Sequence, residues 1–504
     1  MMMKKDMCRS VVFAGVLLVL AAVFSGCGGD SSSAESPVTT ATFWAADFTT
    51  YTLYKVTGVK VGEGVHCQIY VEQGRTVDGS IITSIINEFD TKIYPKNTTT
   101  FGNEPNPGID NDAKVYILLL DIKDGYDPVG SPSYVGGYFD PGNEYPLSVN
   151  AYSNQKEMFY MDINPATPGS IRFFSTLAHE FQHMIHWQQE EVYKNHANDE
   201  VWLNEAMSEV APVYCGYGPS YNRVQLFEYY PNDSLTDWGG SVIDYGVAYM
   251  WGQYFKDHFG SYNIFRAMLQ NSNTGIDSVN SALAEISALD TDPTFTSTFH
   301  DWAIAVYSGN TRTWPDHPEW SYITIDTWPG TYNGYTLPGL LPNPAPTNLP
   351  LLDRSSLAFY SYTPVMDPIG TINWSGGTGA VKAALADKAP SLFSDLVSGQ
   401  NYTFLTTGYL ILSNSSDSAT AGAGDVTNTS LFQNITSDAL SSVQTERPAM
   451  SPRAMLDRAN SDPVLRRRVA ETGEPEALCI HSFIKEKEKP LREKARKLRG
   501  RHND

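Results

Sequence analysis

An α+β fold is what this sequence predicts: a strand-rich first part, a helical middle, and a small all-β, sandwich-like domain behind a proline-rich linker. Three observations lead there. Continuous or alternating apolar runs such as Val115-Tyr116-Ile117-Leu118-Leu119-Leu120 dominate the early chain. Apolar residues three and four apart take over beyond Phe173. A stretch with six prolines spans 329–350, and short apolar runs between turn residues follow it.

Residues 51–56 and 68–71 read as strands, and Val77, Ile81, Ile82, Ile85, Ile86 and Phe89 give 77–94 a helical spacing. Residues 103–112 are loop by their Pro, Gly, Asn and Asp content. The run 114–121 is apolar on both faces and is expected as a buried strand, with shorter strands at 134–139 and 158–161. Thr167-Pro168 offers an N-cap and a first-turn proline for a helix reaching about Gln189. Further helices are expected at 201–214, 245–259, 277–286 and 295–306, and strands at 356–362, 370–374, 380–384 and 402–412. Beyond residue 446 the chain is charged, with Arg466-Arg467-Arg468 and a basic run at 485–501; it reads as weak helix or disorder.

With 504 residues the chain exceeds the roughly 250–300 at which one core stops growing. The expected partition is 1–27 signal peptide with lipobox, 28–45 tether, 46–328 main domain, 329–350 linker, 351–440 β-rich domain and 441–504 charged tail. Lys4 and Lys5 precede an apolar run too short to span a bilayer, and Phe24-Ser25-Gly26-Cys27 resembles a bacterial lipobox. That implies export with Cys27 lipidated, holding the chain at the cell surface or outer membrane; plain secretion is the alternative, because leucine is more usual than Phe24. Cys67, Cys215 and Cys479 form no disulfide framework or zinc-knuckle spacing; Cys67 and Cys215 are read as a single bridge or as two buried thiols. Residues 28–445 hold 17 basic against 45 acidic side chains, and 446–504 hold 15 against 10. Such an acidic body excludes nucleic acid as partner, and a monomer is expected.

The chemistry concentrates at His179-Glu180-Phe181-Gln182-His183 and Trp202-Leu203-Asn204-Glu205-Ala206-Met207-Ser208-Glu209. Histidines four apart on a helix share a face and can reach one zinc ion, leaving Glu180 beside it to take a proton from zinc-bound water. A third ligand must come from another element, and Glu205 offers it, with one position open. Met-turn peptidases have a third histidine six residues after the second; here Gln189 stands there, and His186 stands where their glycine would be. Glu209, one turn beyond Glu205, is placed to accept the free ring N–H of a liganding histidine, and Asn204 joins it in that supporting role. Tyr245 is the candidate to stabilise an oxyanion, with Tyr249 next and a core tyrosine as the plain reading. His186 is expected to support the site or lie at the surface, and His196 to be solvated. Asp110, Asp112, Asp121, Asp124 and Asp127 are considered for calcium but lack the spacing of a calcium loop.

At these two motifs the chain resembles the gluzincin peptidases, most closely the hyicolysin-like family, which pairs an HEFQHM-like helix with one of W-L-N-E type. The resemblance covers about residues 51–308. It implies a zincin-like domain and a zinc endopeptidase acting on protein or peptide substrates, with His179, His183 and Glu205 as ligands and Glu180 as base. Ala206 stands where such families often have glycine, a departure that leaves ligation undisturbed. Gly142-Asn143-Glu144 lacks the amine-gripping motif of related aminopeptidases, which disfavours exopeptidase action. The competing reading is a non-catalytic adhesin or binding lipoprotein, against which the retained Glu180 speaks.

Overall fold

Six buried side chains in a row place Val115–Leu120 at the middle of a sheet, because only a strand covered on both faces is apolar on both. The computed structural model describes residues 39–286, 293–340 apart from 313, parts of 343–427, and 450–500. The expected signal peptide and lipobox with Cys27, and most of the expected tether, lie outside these residues. The first strands are β1 (Thr40–Asp47), β2 (Thr52–Glu63), β3 (Cys67–Glu72), β4 (Val115–Leu120), β5 (Ser133–Val135), β6 (Gly137–Phe139) and β7 (Met158–Asp162). All but β5 form a six-stranded mixed sheet in the order β1-β2-β3-β4-β7-β6, leaving β6 at one edge. β3, β4 and β7 run parallel, with Tyr116 opposite Met158, while β6 runs antiparallel to β7 with Phe139 opposite Phe159. β1 starts inside the expected 28–45 tether: Phe43 and Ala45 point into the core, an alternation that outweighs the Gly/Ser composition just before it.

The parallel β3–β4 pair needs a crossover, supplied by α1 (Gly79–Glu88), a π-turn at Phe89–Ile93 and α2 (Tyr94–Phe101). Asp78 caps α1 by accepting from the Ser80 N–H at 2.7 Å. One sheet face, with Ile69, Ile117 and Phe159, packs on Ile82, Ile85, Leu177 and Phe181. The other, with Tyr70, Leu118, Tyr138 and Tyr160, is covered by Met455, Ile480 and Ile484 from the chain's far end.

The motif helix α3 (Ile171–Tyr193) begins later than Thr167-Pro168 suggests and runs past Gln189. Ser170 is the cap, its hydroxyl accepting from the Phe173 N–H at 3.2 Å. Ser170→Ala is expected to cost about 1 kcal/mol in urea denaturation, the usual worth of such a cap. The helical region continues as α4 (Val201–Tyr214), α5 (Tyr221–Tyr229), α6 (Asp244–Phe259), α7 (Ile264–Gln270), α8 (Gly275–Ala284) and α9 (Phe295–Ser308). α6 approaches α4 closely at Gly252, where a Cβ would stand 2.7 Å from the Ala206 carbonyl oxygen.

The proline-rich stretch contains a hairpin, Gly330–Tyr332 with Tyr335–Leu337, held to the helical region by Arg172 donating to Tyr335 Oη at 2.7 Å. Farther on stand a five-stranded and a four-stranded sheet. The single strand expected at 402–412 is two, Asn401–Thr403 and Gly408–Asn414, in different sheets.

The segment expected as a charged tail is α10 (Pro452–Ser461), α11 (Pro463–Thr472), a strand at Glu476–Leu478 and α12 (His481–Gly500). Its charges are partnered in the interior. Lys485 Nζ lies 2.5 Å from Glu190 Oε1, Arg492 Nη2 is 2.9 Å from both Glu190 and Glu488, and Arg468 pairs with Glu476. Buried charge requires such pairing, and the acidic body provides it. Among the described residues no helix is long and apolar enough to cross a membrane.

Candidate metal centre

Two helices bring the motif side chains together. α3 presents His179 and His183 on one face, with their Nε2 atoms 3.0 Å apart. α4 packs across it and delivers Glu205, whose Oε2 lies 3.5 Å from His179 Nε2 and 3.8 Å from His183 Nε2. A fourth donor comes from the C-terminal segment: Cys479 Sγ is 3.5 Å from His183 Nε2 and 3.7 Å from Glu205 Oε1. All four donor atoms lie within 4.8 Å of one another and all four residues are buried.

These separations suit one zinc ion. Tetrahedral N, O and S donors at about 2.0–2.3 Å from zinc stand about 3.3–3.6 Å from each other. Glu205 Oε2 is buried without a hydrogen-bond partner, a costly state for a carboxylate oxygen that a cation would relieve. Burial, with His481 and His179 close by, holds His183 well below the usual histidine range, so it is the neutral imidazole that metal ligation requires. For His179 burial acts in the same direction, but Glu205, Glu180 and Glu209 outweigh it and raise the value.

The supporting contacts differ between the two histidines. His183 Nδ1–H donates to Asn204 Oδ1 at 2.7 Å, with Ser208 Oγ 2.9 Å from the same nitrogen. Glu209 reaches only 3.8 Å from His179 Nδ1, because its carboxylate is gripped by Arg223 through bonds of 2.8 and 2.9 Å. Asn204→Ala is expected to weaken metal affinity by about 10–100-fold, read by competition with a chromophoric chelator, since the ring loses the partner that fixes its tautomer.

Glu180 lines the same cleft as His179 and accepts a hydrogen bond from the Phe139 N–H of β6 at 2.9 Å. Burial, reinforced by Glu205 and against the pull of His179, pushes its carboxyl up to about 7. Tyr245 is buried, and its hydroxyl donates to the Cys479 carbonyl at 2.9 Å with Glu205 Oε1 at 3.5 Å. Tyr249 instead accepts from the Ser220 N–H at 2.9 Å. His186 is buried, 3.4 Å from Asp199, and His196 pairs with Glu191 at 2.6 Å rather than being free in solvent.

Calcium finds no shared site among the five aspartates. Asp110 pairs with Lys156, Asp121 with Arg75, and Asp112 accepts from Gln68; Asp124 and Asp127 accept backbone N–H groups. Among the described residues, histidine, cysteine and carboxylate donors converge only at His179, His183, Glu205 and Cys479. Cys67 and Cys215 are buried free thiols. Sequence reasoning missed Cys479, Arg223, His481 and the Phe139 N–H. The odd cysteine left in the charged segment was the one available signal.

The chain is 34% identical over 219 residues to the neutral metalloprotease ShpI of Staphylococcus hyicus. The match covers 40% of this chain and 48% of the relative, so the chain spans about half the length of the curated relative it matches. No family model matches the chain.

Proposed function

We propose that this protein is a zinc-dependent endopeptidase with a zincin-like main domain, exported and anchored through a lipid on Cys27. The observation carrying it is the convergence of His179, His183 and Glu205, from two helices, with donor atoms 3.0–3.8 Å apart, close to the spacing around one tetrahedral ion. The similarity to a neutral metalloprotease supports the same reading.

Zinc, when bound there, supplies Lewis acidity that polarises a carbonyl and acidifies water. The rest falls to the chain's own groups. Glu180, in the cleft and held by the Phe139 N–H, takes the proton of the attacking water and passes it to the leaving amine. Tyr245 already donates to a peptide carbonyl within the site, and the same hydroxyl stabilises the oxygen that gains charge during attack. Asn204 fixes the tautomer of His183, and Arg223 orients Glu209 beside His179.

One observation favours the binding-protein alternative: a sulfur beside the three donors would give a closed, four-ligand set, as in structural zinc sites. Hydrolysis of an unfolded protein substrate separates the two readings, with zinc content measured in parallel on the full chain and its Cys479→Ser variant. Cleavage stopped by a chelator and restored by zinc supports the enzyme. Zinc bound at one per chain with no cleavage in either protein overturns it.

A further inference from the structure

One wall of the cleft beside the metal ligands is formed by the C-terminal part of the chain, Glu474 to Cys479. The strand Glu476–Leu478 adds in parallel to β5, with Ala477 opposite Tyr134, and Gly136 N–H donates to the Leu478 carbonyl at 3.3 Å. The two strands form a separate pair outside the six-stranded sheet, joined by the main-chain bonds through which an extended peptide is also bound. The next residue, Cys479, places its sulfur against His183 and Glu205 and its carbonyl on the Tyr245 hydroxyl. His481 then stacks flat on the His183 ring, with centroids 3.9 Å apart.

We propose that Cys479 is a fourth ligand to the zinc and that the Glu476–His481 segment is a built-in inhibitor, making the full chain a latent enzyme. The inference rests on the zinc reading of the site and adds to it. Three observations converge on it. The sulfur lies 3.5 Å from a histidine nitrogen and 3.7 Å from a carboxylate oxygen of the donor set. All four donor residues, Cys479 among them, are buried, with one ligand atom of each within 4.8 Å of the others. The peptide carrying the cysteine lines the same cleft as Phe173, Thr176, Glu180 and Tyr221, so it stands between that cleft and the sulfur's contacts.

The segment is clamped from both sides. On one side Arg223 spans Glu209, the neighbour of His179, and Glu476 of the strand, which Arg468 also holds. On the other, Glu190 of the motif helix holds Lys485 and Arg492, and Glu488 receives the Trp187 indole N–H and the Tyr145 hydroxyl at 2.7 Å each. Activation therefore means withdrawal of the strand: the sulfur–metal contact is broken, the edge bonds of β5 are freed for substrate, and Tyr245 releases the Cys479 carbonyl. No covalent bond of the chain is made or broken.

The test uses the full chain loaded with zinc. X-ray absorption at the zinc edge is expected to show a sulfur neighbour at about 2.3 Å. In Cys479→Ser, a change of one atom that preserves packing, the sulfur neighbour disappears while zinc remains bound. Cleavage of an unfolded protein substrate rises by roughly tenfold or more, because removing one tie raises the small fraction of open molecules. Glu476→Gln, which loosens the strand without touching the metal ligands, is expected to raise cleavage as well. A nitrogen- and oxygen-only shell around zinc in the wild-type chain overturns the ligation. A sulfur shell with measurable wild-type cleavage that neither variant raises overturns the latency, whereas bound zinc with no cleavage in any of the three proteins overturns the enzyme reading. A chain that binds no zinc at all sinks the underlying site reading instead, so the two failures are distinguishable.

Discussion

Glu180→Gln is expected to lower peptide cleavage by about 10²–10⁴-fold while zinc stays bound at one per chain, since the amide keeps the shape of the side chain but cannot carry the proton. The comparison belongs in the Cys479→Ser background, where the sulfur contact of the native strand does not mask the effect. The variant also separates chemistry from architecture. The amide oxygen of the substituted side chain can still accept from the Phe139 N–H, the bond that ties α3 to β6 in the native chain. Metal content and thermal stability should therefore hold while turnover collapses. A Glu180→Gln protein that cleaves as well as its parent would move the base elsewhere.

Glu190→Ala has the largest expected effect on stability, about 3–5 kcal/mol in urea denaturation, because it strands buried cations. Glu190 receives Lys485 at 2.5 Å, Arg492 at 2.9 Å and the Asp199 N–H at 2.8 Å, and it is 1% exposed. Lys485 is left with no carboxylate of comparable proximity. The same group sets an acid limit. Burial raises the Glu190 value, but Lys485, Arg492 and His186 outweigh it and leave it below the ordinary glutamate range. A carboxyl depressed in the folded state contributes stability above its unfolded value of about 4.3 and loses that contribution as pH falls through the folded value. Denaturation midpoints should thus fall on acidification below about pH 4, and Glu190→Ala should flatten that part of the profile. Hydrogen exchange in α12 would report the loosening directly.

Much of the main domain was legible because its signals are local. Continuous burial in Val115–Leu120 and helical spacing in α3 and α4 follow from short-range pattern, and the second helix matched its expected 201–214 limits. Helix ends were less secure: Thr167-Pro168 was expected to open α3, whereas Ser170 caps it three residues later. The division of 402–412 between two sheets depends on which strands are neighbours in space, which apolar content cannot reveal. The C-terminal segment was misread for a physical reason. Its basic run looks solvated until matched with Glu190, Glu191 and Glu488, and the first two lie some 300 positions earlier. Cys479 belongs to the same class: it stands 296 positions from the histidine it meets. By contrast, the meeting of His179, His183 and Glu205 was expected from the sequence, because short spacings within each helix put such donors on one face.

The central claim is that one ion is held between α3 and α4 by His179, His183 and Glu205. Anomalous diffraction at the zinc edge, on crystals of the full chain grown with zinc, tests it most directly. The expected result is a single strong peak about 2.0–2.2 Å from the two Nε2 atoms and the Glu205 carboxylate. Crystals with no peak among these side chains, or with zinc held elsewhere on the surface, would contradict it.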